Sequence, residues 1–257
     1  MADAWNPDQY AKFREERRQP FRDLLAMVEP IPGGRAIDLG CGPGELTREL
    51  HDTTQVAVTI GLDNSEAMLE RAQAHAGRGL RFKLGTILRF APTKPLDLVF
   101  SNSALQWAPD HEKLFERLAA GLNEGGQLAV QMPANHEHPS HVIADAVARE
   151  EPFASELDGY QRQWPVQQPE WYAELLHTLG FEEIDVRVQI YPHLLDSREE
   201  VVEWVKGTYL TAYQSRMREE VYEKYVEEYR SRLMRTLRDD RPFMYTYKRV
   251  LMHARKG

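Results

Sequence analysis

The segment from Arg35 to Gly44 constrains the fold of this chain more than any other part of its sequence. A short apolar run leads into Asp38-Leu-Gly-Cys-Gly-Pro-Gly44, which is followed by a helix-like segment at 45–50. Glycines at alternate positions let the backbone turn tightly and let a ligand approach without meeting a Cβ. The pattern predicts a strand, a glycine-rich turn and a helix, an arrangement that nicotinamide and flavin enzymes also use.

A second acidic residue narrows the kind of ligand that this turn would bind. Asp63 follows the next apolar strand and lies 63 − 38 = 25 positions after Asp38. An acid at the tip of the second strand of a doubly wound sheet accepts hydrogen bonds from ribose hydroxyls. The glycine spacing is Gly-x-Gly-x-Gly, not the Gly-x-Gly-x-x-Gly of a pyrophosphate site, although a nicotinamide site stays open as an alternative. Asp38 and the loop suit a ligand that carries an amine and a carboxylate.

Strands and helices alternate from residue 35 onward, which predicts an α/β fold with a parallel sheet and right-handed crossovers. We predict strands at 35–39, 56–62, 80–84, 96–100 and 127–132, with Ser65 and Asp110 capping helices and a helix stop at 123–126. Ligands of such sheets bind beyond the carboxyl ends of the strands. The residues that we expect to converge there are Gly40, Asp63, Thr86, Asn102 and Gln131.

The remainder of the chain predicts two further strands and a helical insertion. Residues 181–192 alternate with period two, and a strand at 243–254 is expected to run antiparallel beside them. Between them, Ser197 to Glu200 resembles a capping box, and the helical stretch 216–238 carries an apolar stripe that is expected to be buried. We therefore predict a Rossmann-like sheet of seven strands, mostly parallel with the last strand antiparallel, with helices on both faces and a helical cap.

Composition excludes several classes of function. The net charge of −8 argues against a nucleic-acid partner, since phosphate binding needs a basic surface. The single cysteine, Cys41, excludes an internal disulfide and a cysteine-rich zinc site. His136, His138 and His141 lie close in sequence but lack a cysteine partner, so we predict no metal. No signal or membrane-spanning segment is evident, which predicts a cytoplasmic protein that acts on a small molecule, of undetermined oligomeric state.

Two sets of motifs carry a resemblance to known proteins. The segments at 38–44 and 61–63 resemble the first and second motifs of class I S-adenosylmethionine-dependent methyltransferases. Trp5-Asn-Pro, Asn102-x-x-Leu-Gln-Trp107-x-Pro-Asp-His111 and Leu128-Ala-Val-Gln-Met-Pro133 are similar to the trans-aconitate 2-methyltransferase family, and so is Glu203-Trp-Val205. The resemblance spans nearly the whole chain. It implies methyl transfer from S-adenosylmethionine to a carboxylate of trans-aconitate, which yields a monomethyl ester and S-adenosylhomocysteine.

The resemblance also implies which residues form the site. A carboxylate is already ionised at neutral pH, so no general base and no catalytic residue are expected, only positioning groups. The expected cofactor-binding residues are Asp38, Gly40, Cys41, Gly42, Asp63, Asn64, Met68, Thr86, Ile87 and Asn102. The expected substrate-binding residues are Tyr10, Arg17, Gln106, Trp107, Gln131 and His141, with His193 as a further candidate. Thr86 replaces an acid that accepts the adenine amino group in the family pattern, which predicts a weaker hydrogen bond to the cofactor. Thr211 replaces an arginine of that pattern, which favours a less charged acceptor.

We predict four parts of the chain: an N-terminal helical lid at 1–30, a cofactor-binding core at 31–133, active-site loops and helices at 134–180, and strands six and seven at 181–257 with the cap inserted at 197–238. Two other functions remain open. The chain could methylate nitrogen or oxygen of an aromatic or other natural product, or it could bind S-adenosylmethionine without catalysis. The acidic charge disfavours an RNA methyltransferase.

Overall fold

The structure is a computed structural model that describes residues 14–257, with side chains from Arg18 onward. Tyr10 and the side chain of Arg17, both predicted to contact the substrate, lie outside the described residues. The strands are β1 (Arg35–Leu39), β2 (Val58–Asp63), β3 (Leu80–Leu84), β4 (Leu96–Asn102), β5 (Leu122–Pro133), β6 (Phe181–Leu195) and β7 (Phe243–Lys256). The helices are α1 (Arg14–Leu25), α2 (Glu45–Thr54), α3 (Glu66–Ala72), α4 (His111–Ala120), α5 (Pro139–Ala148), α6 (Phe153–Glu156), α7 (Pro169–Thr178), α8 (Glu199–Lys206), α9 (Thr211–Gln214) and α10 (Glu219–Thr236).

The strands form a seven-stranded sheet in the order β3-β2-β1-β4-β5-β7-β6. β1 pairs in parallel with β2 and β4, and parallel pairs also join β2 to β3 and β4 to β5. β7 pairs antiparallel with β5 and lies next to β6. The predicted α/β architecture, with an antiparallel last strand beside strand six, is confirmed.

Two helix starts agree with the sequence and one does not. Ser65 accepts a hydrogen bond from the Met68 amide and caps α3, and Asp110 accepts one from the Lys113 amide and caps α4. The capping box predicted at Ser197 is wrong. Because α8 begins at Glu199, the N-cap residue is Arg198, and Glu200 occupies the second helical position, not the third that a capping box requires. The Glu200 carboxylate instead accepts the Asp196 amide at 3.0 Å.

The start of β5 also differs from its prediction. The segment 123–126, which was predicted to be a helix stop, lies inside the strand, because Leu122 already pairs with Leu96. The register shifts before Leu98 pairs with Gln127, and Gly125 adopts a positive φ of 74° within this irregularity. A bulge of this kind inserts extra residues without ending the strand.

The chain divides into two compact units, which we describe separately. The sheet unit comprises Arg14–Pro133, Pro165–Gln189 and Arg249–Gly257. Its core is made of strand residues such as Leu98, Val99 and Leu128, all fully buried. Burial of such side chains contributes about 1.5–3 kcal/mol each. Among the described residues, no helix is long and apolar enough to cross a membrane.

The helical unit comprises, within the described residues, Ala134–Trp164 and Ile190–Lys248. Its core is rich in tyrosine, and the predicted burial of the stripe on α10 is confirmed. Tyr225 and Tyr229 are fully buried, and their hydroxyls donate to the Ala144 and Ser140 carbonyls at 3.0 and 2.9 Å. The two rings therefore bury apolar surface without leaving their hydroxyls unpaired, and they connect α10 to α5.

Candidate active site

The glycine-rich turn after β1 has the geometry that its sequence predicts. Gly40, Gly42 and Gly44 all have positive φ, at 81°, 53° and 81°. A Cβ on Gly40 would lie 2.2 Å from the Ala104 Cβ, so this glycine permits close contact with the loop after β4. A Cβ on Gly42 would meet nothing within 4 Å. Space beside Gly42 is therefore open for a ligand that approaches the backbone.

Two carboxylates flank this turn and have different environments. Asp63 accepts the Gly42 amide at 2.8 Å and the Ser65 amide at 3.0 Å, one with each oxygen. Each oxygen keeps a further lone pair, which can accept a hydroxyl of a ribose. Asp38 is buried and accepts the Thr47 hydroxyl at 2.6 Å. Burial raises the pKa of Asp38 to about 7, and the nearby Asp63 charge adds to the effect.

The predicted cofactor residues of the next loops lie in the same unit. Ile87 comes within 3.9 Å of the position that a Cβ on Gly40 would take. Thr86 accepts the Leu88 amide at 3.3 Å and so caps a 3-10 turn at Ile87–Arg89. Met68 is buried on α3, and Asn64 is exposed at the end of β2.

The loop after β4 presents two buried acceptors. The side-chain oxygens of Asn102 and Gln106, Oδ1 and Oε1, are buried and have no hydrogen-bond partner among the described residues. The Gln106 amide nitrogen donates to the Ser103 carbonyl at 2.8 Å, which orients its oxygen away from that carbonyl. Unpaired buried acceptors are costly, so they indicate a donor that a ligand brings. Trp107, which lies with Gln106 on a 3-10 turn at Leu105–Trp107, is 40% exposed.

Gln131 and Arg249 meet at the end of β5. Gln131 is fully buried, and its Oε1 accepts the Ser103 hydroxyl at 2.8 Å. Arg249 is 4% exposed and donates from Nη1 to the Ser103 hydroxyl at 3.0 Å. We did not predict Ser103 or Arg249 from the sequence. A cation inside the apolar run of β7 was the signal that could have drawn attention to Arg249.

Cys41 is not a nucleophile in this site. Its thiol is buried, and burial raises the pKa of the thiol well above its ordinary value, aided by the charges of Asp38 and Asp63. The thiol therefore stays protonated, and the side chain packs against Leu69 and Ala72.

His141 lies in the helical unit, where aromatic rings enclose it. Its ring is 4.7 Å from that of Tyr209 and 5.5 Å from that of Trp164, and its Nδ1 lies 3.0 Å from the Ser140 hydroxyl. Burial lowers the pKa of His141 to about 3, helped by His138 and Arg162. His141 is therefore neutral at physiological pH and offers a hydrogen bond without a charge. His193, also in this unit, stacks on Trp204 at 4.8 Å.

The same unit holds a fixed cation that the sequence did not reveal. The Arg162 guanidinium lies 4.1 Å from the centre of the Tyr209 ring and donates to the Tyr209 carbonyl at 3.0 Å. Trp164 stacks on Tyr209 at 4.9 Å, and the Asp145 carboxylate accepts from the hydroxyl of Tyr209. These contacts hold the ring on which Arg162 rests. Arg162 has no periodic sequence signal, because it lies in an irregular loop.

Thr211, the position where the family pattern has an arginine, makes a local contact. Its hydroxyl donates to the Thr208 carbonyl at 2.7 Å at the start of α9. Arg162 is bound to the carbonyl of Tyr209, two residues earlier. The turn at 208–211 thus has an arginine beside it, although position 211 does not supply one.

Among the side chains that the structure describes, from Arg18 onward, no group of three His, Cys, Asp or Glu is arranged to hold a metal ion. The sheet unit instead offers acceptors: the Asp38 and Asp63 carboxylates and the amide oxygen of Asn102. These fit a nucleoside that carries hydroxyls and an ammonium group, and the open space at Gly42 leaves room for it. The residues present therefore fit the cofactor that the sequence resemblance implies.

Comparisons with known proteins agree with this geometry. A family described as "Methyltransferase domain" matches residues 31–177. The YcgJ protein from Bacillus subtilis shares the fold with a TM-score of 0.61 at 17% identity, over 93% of this chain and 98% of that one. A phosphoethanolamine N-methyltransferase 2 from Haemonchus contortus, solved with S-adenosyl-L-methionine, shares it with a TM-score of 0.54 at 20% identity, over 93% of this chain and 52% of that one. Fold and site define a class I methyltransferase.

Sequence relatives make the assignment narrower. A trans-aconitate 2-methyltransferase of Deinococcus radiodurans is 42% identical over 97% of both chains, and one of Rhizobium etli is 39% identical over 99% of this chain and 100% of its own. The chain belongs to the trans-aconitate 2-methyltransferase family.

Proposed function

We propose that this enzyme transfers a methyl group from S-adenosylmethionine to a carboxylate of trans-aconitate, giving a monomethyl ester and S-adenosylhomocysteine. The observation that carries this proposal is the length of the similarity: three relatives of that name match 97–99% of the chain, at 38–42% identity. The similarity therefore includes the helical unit, not only the glycine-rich core that many methyltransferases share.

The cofactor is held by the sheet unit. Asp63 accepts hydroxyls of its ribose, the turn at Gly40–Gly44 leaves space along the backbone, and Asn102 accepts a donor with its buried oxygen. Ile87 and Met68 supply apolar contacts, with Cys41, Asn64 and Thr86 beside them. When bound, S-adenosylmethionine supplies an electrophilic methyl group on its sulfonium.

The acceptor needs positioning and no deprotonation. The unperturbed pKa of a carboxyl group is near 4, so the nucleophilic oxygen is already ionised. The protein must hold that oxygen in place and keep water out. Uncharged donors and cations are suited to this role. Taken separately, the sheet unit contains the candidates Gln106, Trp107 and Gln131, and the helical unit contains His141 and the fixed Arg162. Tyr10 and Arg17 complete the predicted set.

Arg162 supports a polycarboxylate acceptor despite the threonine at position 211. A guanidinium that rests on an aromatic ring loses little side-chain entropy when it binds a carboxylate. Charge-assisted hydrogen bonds of this kind contribute about 1.5–3 kcal/mol. The charge that the family pattern places at residue 211 is available from Arg162, which binds the same turn.

The test is formation of S-adenosylhomocysteine with trans-aconitate, cis-aconitate, isocitrate and citrate as acceptors. We expect turnover with trans-aconitate at the highest kcat/KM. The control is Gly40→Arg, because any side chain at this φ of 81° collides with the loop after β4 and should abolish turnover. If the wild type binds S-adenosylmethionine and turns over none of the four acids, the proposal fails and an aromatic or other natural-product acceptor takes its place.

A further inference from the structure

The side chains of Gln131 and Arg249 project from the same face of the sheet. β5 and β7 are antiparallel, with Gln131 paired to Leu251 and Pro133 paired to Arg249. Side chains two positions apart on a strand share a face, so Gln131 and Arg249 are diagonal neighbours. Both are buried, and both contact the hydroxyl of Ser103.

The chemistry of these contacts fixes the orientation of the Gln131 amide. A guanidinium and its N–H groups can only donate, and Arg249 Nη1 lies 3.5 Å from Gln131 Oε1 as well as 3.0 Å from the Ser103 hydroxyl. The Ser103 hydroxyl in turn donates to the same Oε1 at 2.8 Å. The end of the amide that faces Arg249 is therefore its oxygen, and the other end is the donor Nε2.

That donor has no acceptor within the described part of the chain. Gln131 Nε2 is buried and has no hydrogen-bond partner among the side chains described from Arg18 onward or the backbone from Arg14 onward, and its side chain has no solvent exposure. A buried amide donor without an acceptor is costly, and native proteins rarely keep one without a reason. An acceptor atom of a ligand would satisfy it.

The backbone supports this arrangement. Ser103 adopts a positive φ of 57°, a conformation that residues other than glycine seldom adopt. Its amide donates to the Gln131 carbonyl at 2.9 Å, so the strained residue is locked to the end of β5. The conformation directs the Ser103 hydroxyl between Gln131 and Arg249. Strain of this kind is concentrated at binding sites.

We propose that Gln131, Ser103 and Arg249 form a carboxylate-binding site for the methyl acceptor. Gln131 Nε2 donates a hydrogen bond to one carboxylate oxygen, Arg249 supplies the positive charge beside it, and Ser103 holds the two side chains in register. Because the carboxyl ends of β4 and β5 meet here, the site lies at the edge where the cofactor loops also end. This inference rests on the proposed function and names the residues that make the acceptor site selective for anions.

A purely structural role for the cluster makes a different prediction. If Arg249 only pins Ser103, the replacement of the Gln131 amide by an isosteric carboxylate should affect stability and leave acceptor affinity unchanged. If the cluster binds a carboxylate, Gln131→Glu removes the donor and places a negative charge beside Arg249 that competes with the acceptor. The two roles therefore separate in the acceptor KM.

The experiment compares Gln131→Glu with Gln127→Glu, the same substitution four residues earlier on β5. Gln127 is also buried, but both ends of its amide have partners: the oxygen contacts the Glu29 amide and His253, and the nitrogen donates to the Glu29 carbonyl. We expect Gln131→Glu to raise the KM for trans-aconitate by about tenfold or more, with the dissociation constant of the cofactor unchanged within about twofold. Gln127→Glu should leave both constants unchanged. An unchanged acceptor KM in folded Gln131→Glu overturns the inference.

A direct binding measurement covers the case in which turnover fails. Propane-1,2,3-tricarboxylate carries three carboxylates, as trans-aconitate does. It therefore serves as a probe of anion binding with the same charge as the acceptor. By calorimetry, we expect the wild type with S-adenosylhomocysteine to bind it, Arg249→Lys to bind it more weakly by several-fold, and Gln131→Glu to bind it at least about tenfold more weakly. Equal binding by wild type and both variants rejects the site. Absent turnover of all four acids by the wild type, with selective tricarboxylate binding retained, rejects the proposed reaction and leaves the anion site standing.

Discussion

Asp38 is a carboxylic acid in a buried environment, beside the glycine-rich turn. Burial raises its pKa to about 7, so the carboxyl group exchanges its proton in the physiological range. The cofactor that we propose carries an ammonium and a sulfonium group, and a cation binds a carboxylate better than a neutral carboxyl group. Because protonation removes this charge, cofactor affinity should rise with pH through 7.

The pH dependence can be measured by calorimetric titration of S-adenosylhomocysteine between pH 6 and 8. We expect affinity to increase up to about tenfold over this range in the wild type. Asp38→Asn keeps an oxygen that can accept the Thr47 hydroxyl. The affinity of this variant for S-adenosylhomocysteine should not vary with pH. Asp52→Asn, an exposed substitution on α2, is the control and should behave as the wild type does. A pH profile that Asp38→Asn retains would assign the dependence to another group.

The sequence predicts where the candidate cofactor-binding residues lie in the fold, but it does not predict contacts between residues that are far apart in the chain. Asp63 was predictable because its position at the tip of β2 follows from local strand and turn patterns. Arg249 acquires its role only when β7 inserts between β5 and β6 and pairs Pro133 with Arg249. No local pattern encodes that pairing, since it joins residues more than a hundred positions apart.

At the scale of elements, a buried histidine connects the 3-10 turn at Leu105–Trp107 to α7. His111 Nε2 lies 3.0 Å from the Leu105 carbonyl and must donate to it, so Nδ1 accepts the Tyr172 hydroxyl at 2.5 Å. That hydroxyl also accepts the Gln167 amide at 3.1 Å. Burial lowers the pKa of His111, which keeps the ring neutral as this arrangement requires.

Tyr172→Phe should destabilise the protein and loosen this turn. The change leaves His111 Nδ1 and the Gln167 amide buried without partners, which costs about 1–3 kcal/mol. We expect a lower urea midpoint and a KM for the acceptor raised a few-fold through Gln106, which lies on the turn. Tyr160→Phe, at a ring that packs under Arg216, is the matched control and should cost less. Equal losses in the two variants would show that the link has no special role.

Elements themselves were predicted well where their signals are local. The caps at Ser65 and Asp110 follow from residue type and spacing, and the stripe on α10 follows from helical period. The start of β5 was missed because the glycines at 125 and 126 also fit a loop. Pairing with β4, which keeps Leu122 in the strand, is a tertiary interaction that overrides the local signal.

At the scale of the whole molecule, His141 makes the free energy of unfolding depend on pH. Its pKa is lowered to about 3 by burial, while that of an unfolded histidine is near 6.5. Between these two pKa values, unfolding therefore takes up a proton. The contribution of neutral His141 to the free energy of unfolding is complete above pH 6.5 and is lost as the pH falls below that value. The loss amounts to about 1.4 kcal/mol per pH unit until the folded pKa is approached.

This linkage appears as a difference between variants. His141→Gln has no titrating ring at this position. The difference in free energy of unfolding between the wild type and this variant should therefore shrink by about 2–3 kcal/mol as the pH falls from 7 to 4.5. The comparison between variants removes the opposite contribution of Asp38, whose raised pKa is common to both. His177→Gln, on the exposed side of α7, should show a constant difference from the wild type. A constant difference for His141→Gln as well would mean that its pKa is ordinary.

The sheet was predictable at this scale, because alternating strands and helices allow few topologies. Composition and local patterns do not reveal the division of the described chain into a sheet unit and a helical unit. Residues of the helical unit come from two separate segments, Ala134–Trp164 and Ile190–Lys248. Such a unit forms through tyrosine packing between α5 and α10, which are distant in sequence.

The most direct test of the account is the destination of the methyl group. The enzyme is incubated with trans-aconitate and S-adenosylmethionine labelled with ¹³C in the methyl group, and the products are followed by NMR and mass spectrometry. We expect a single labelled ester methyl on trans-aconitate, in equal amount to the S-adenosylhomocysteine formed. Label on carbon or nitrogen of another molecule, or no label on trans-aconitate when the cofactor is bound, would contradict it.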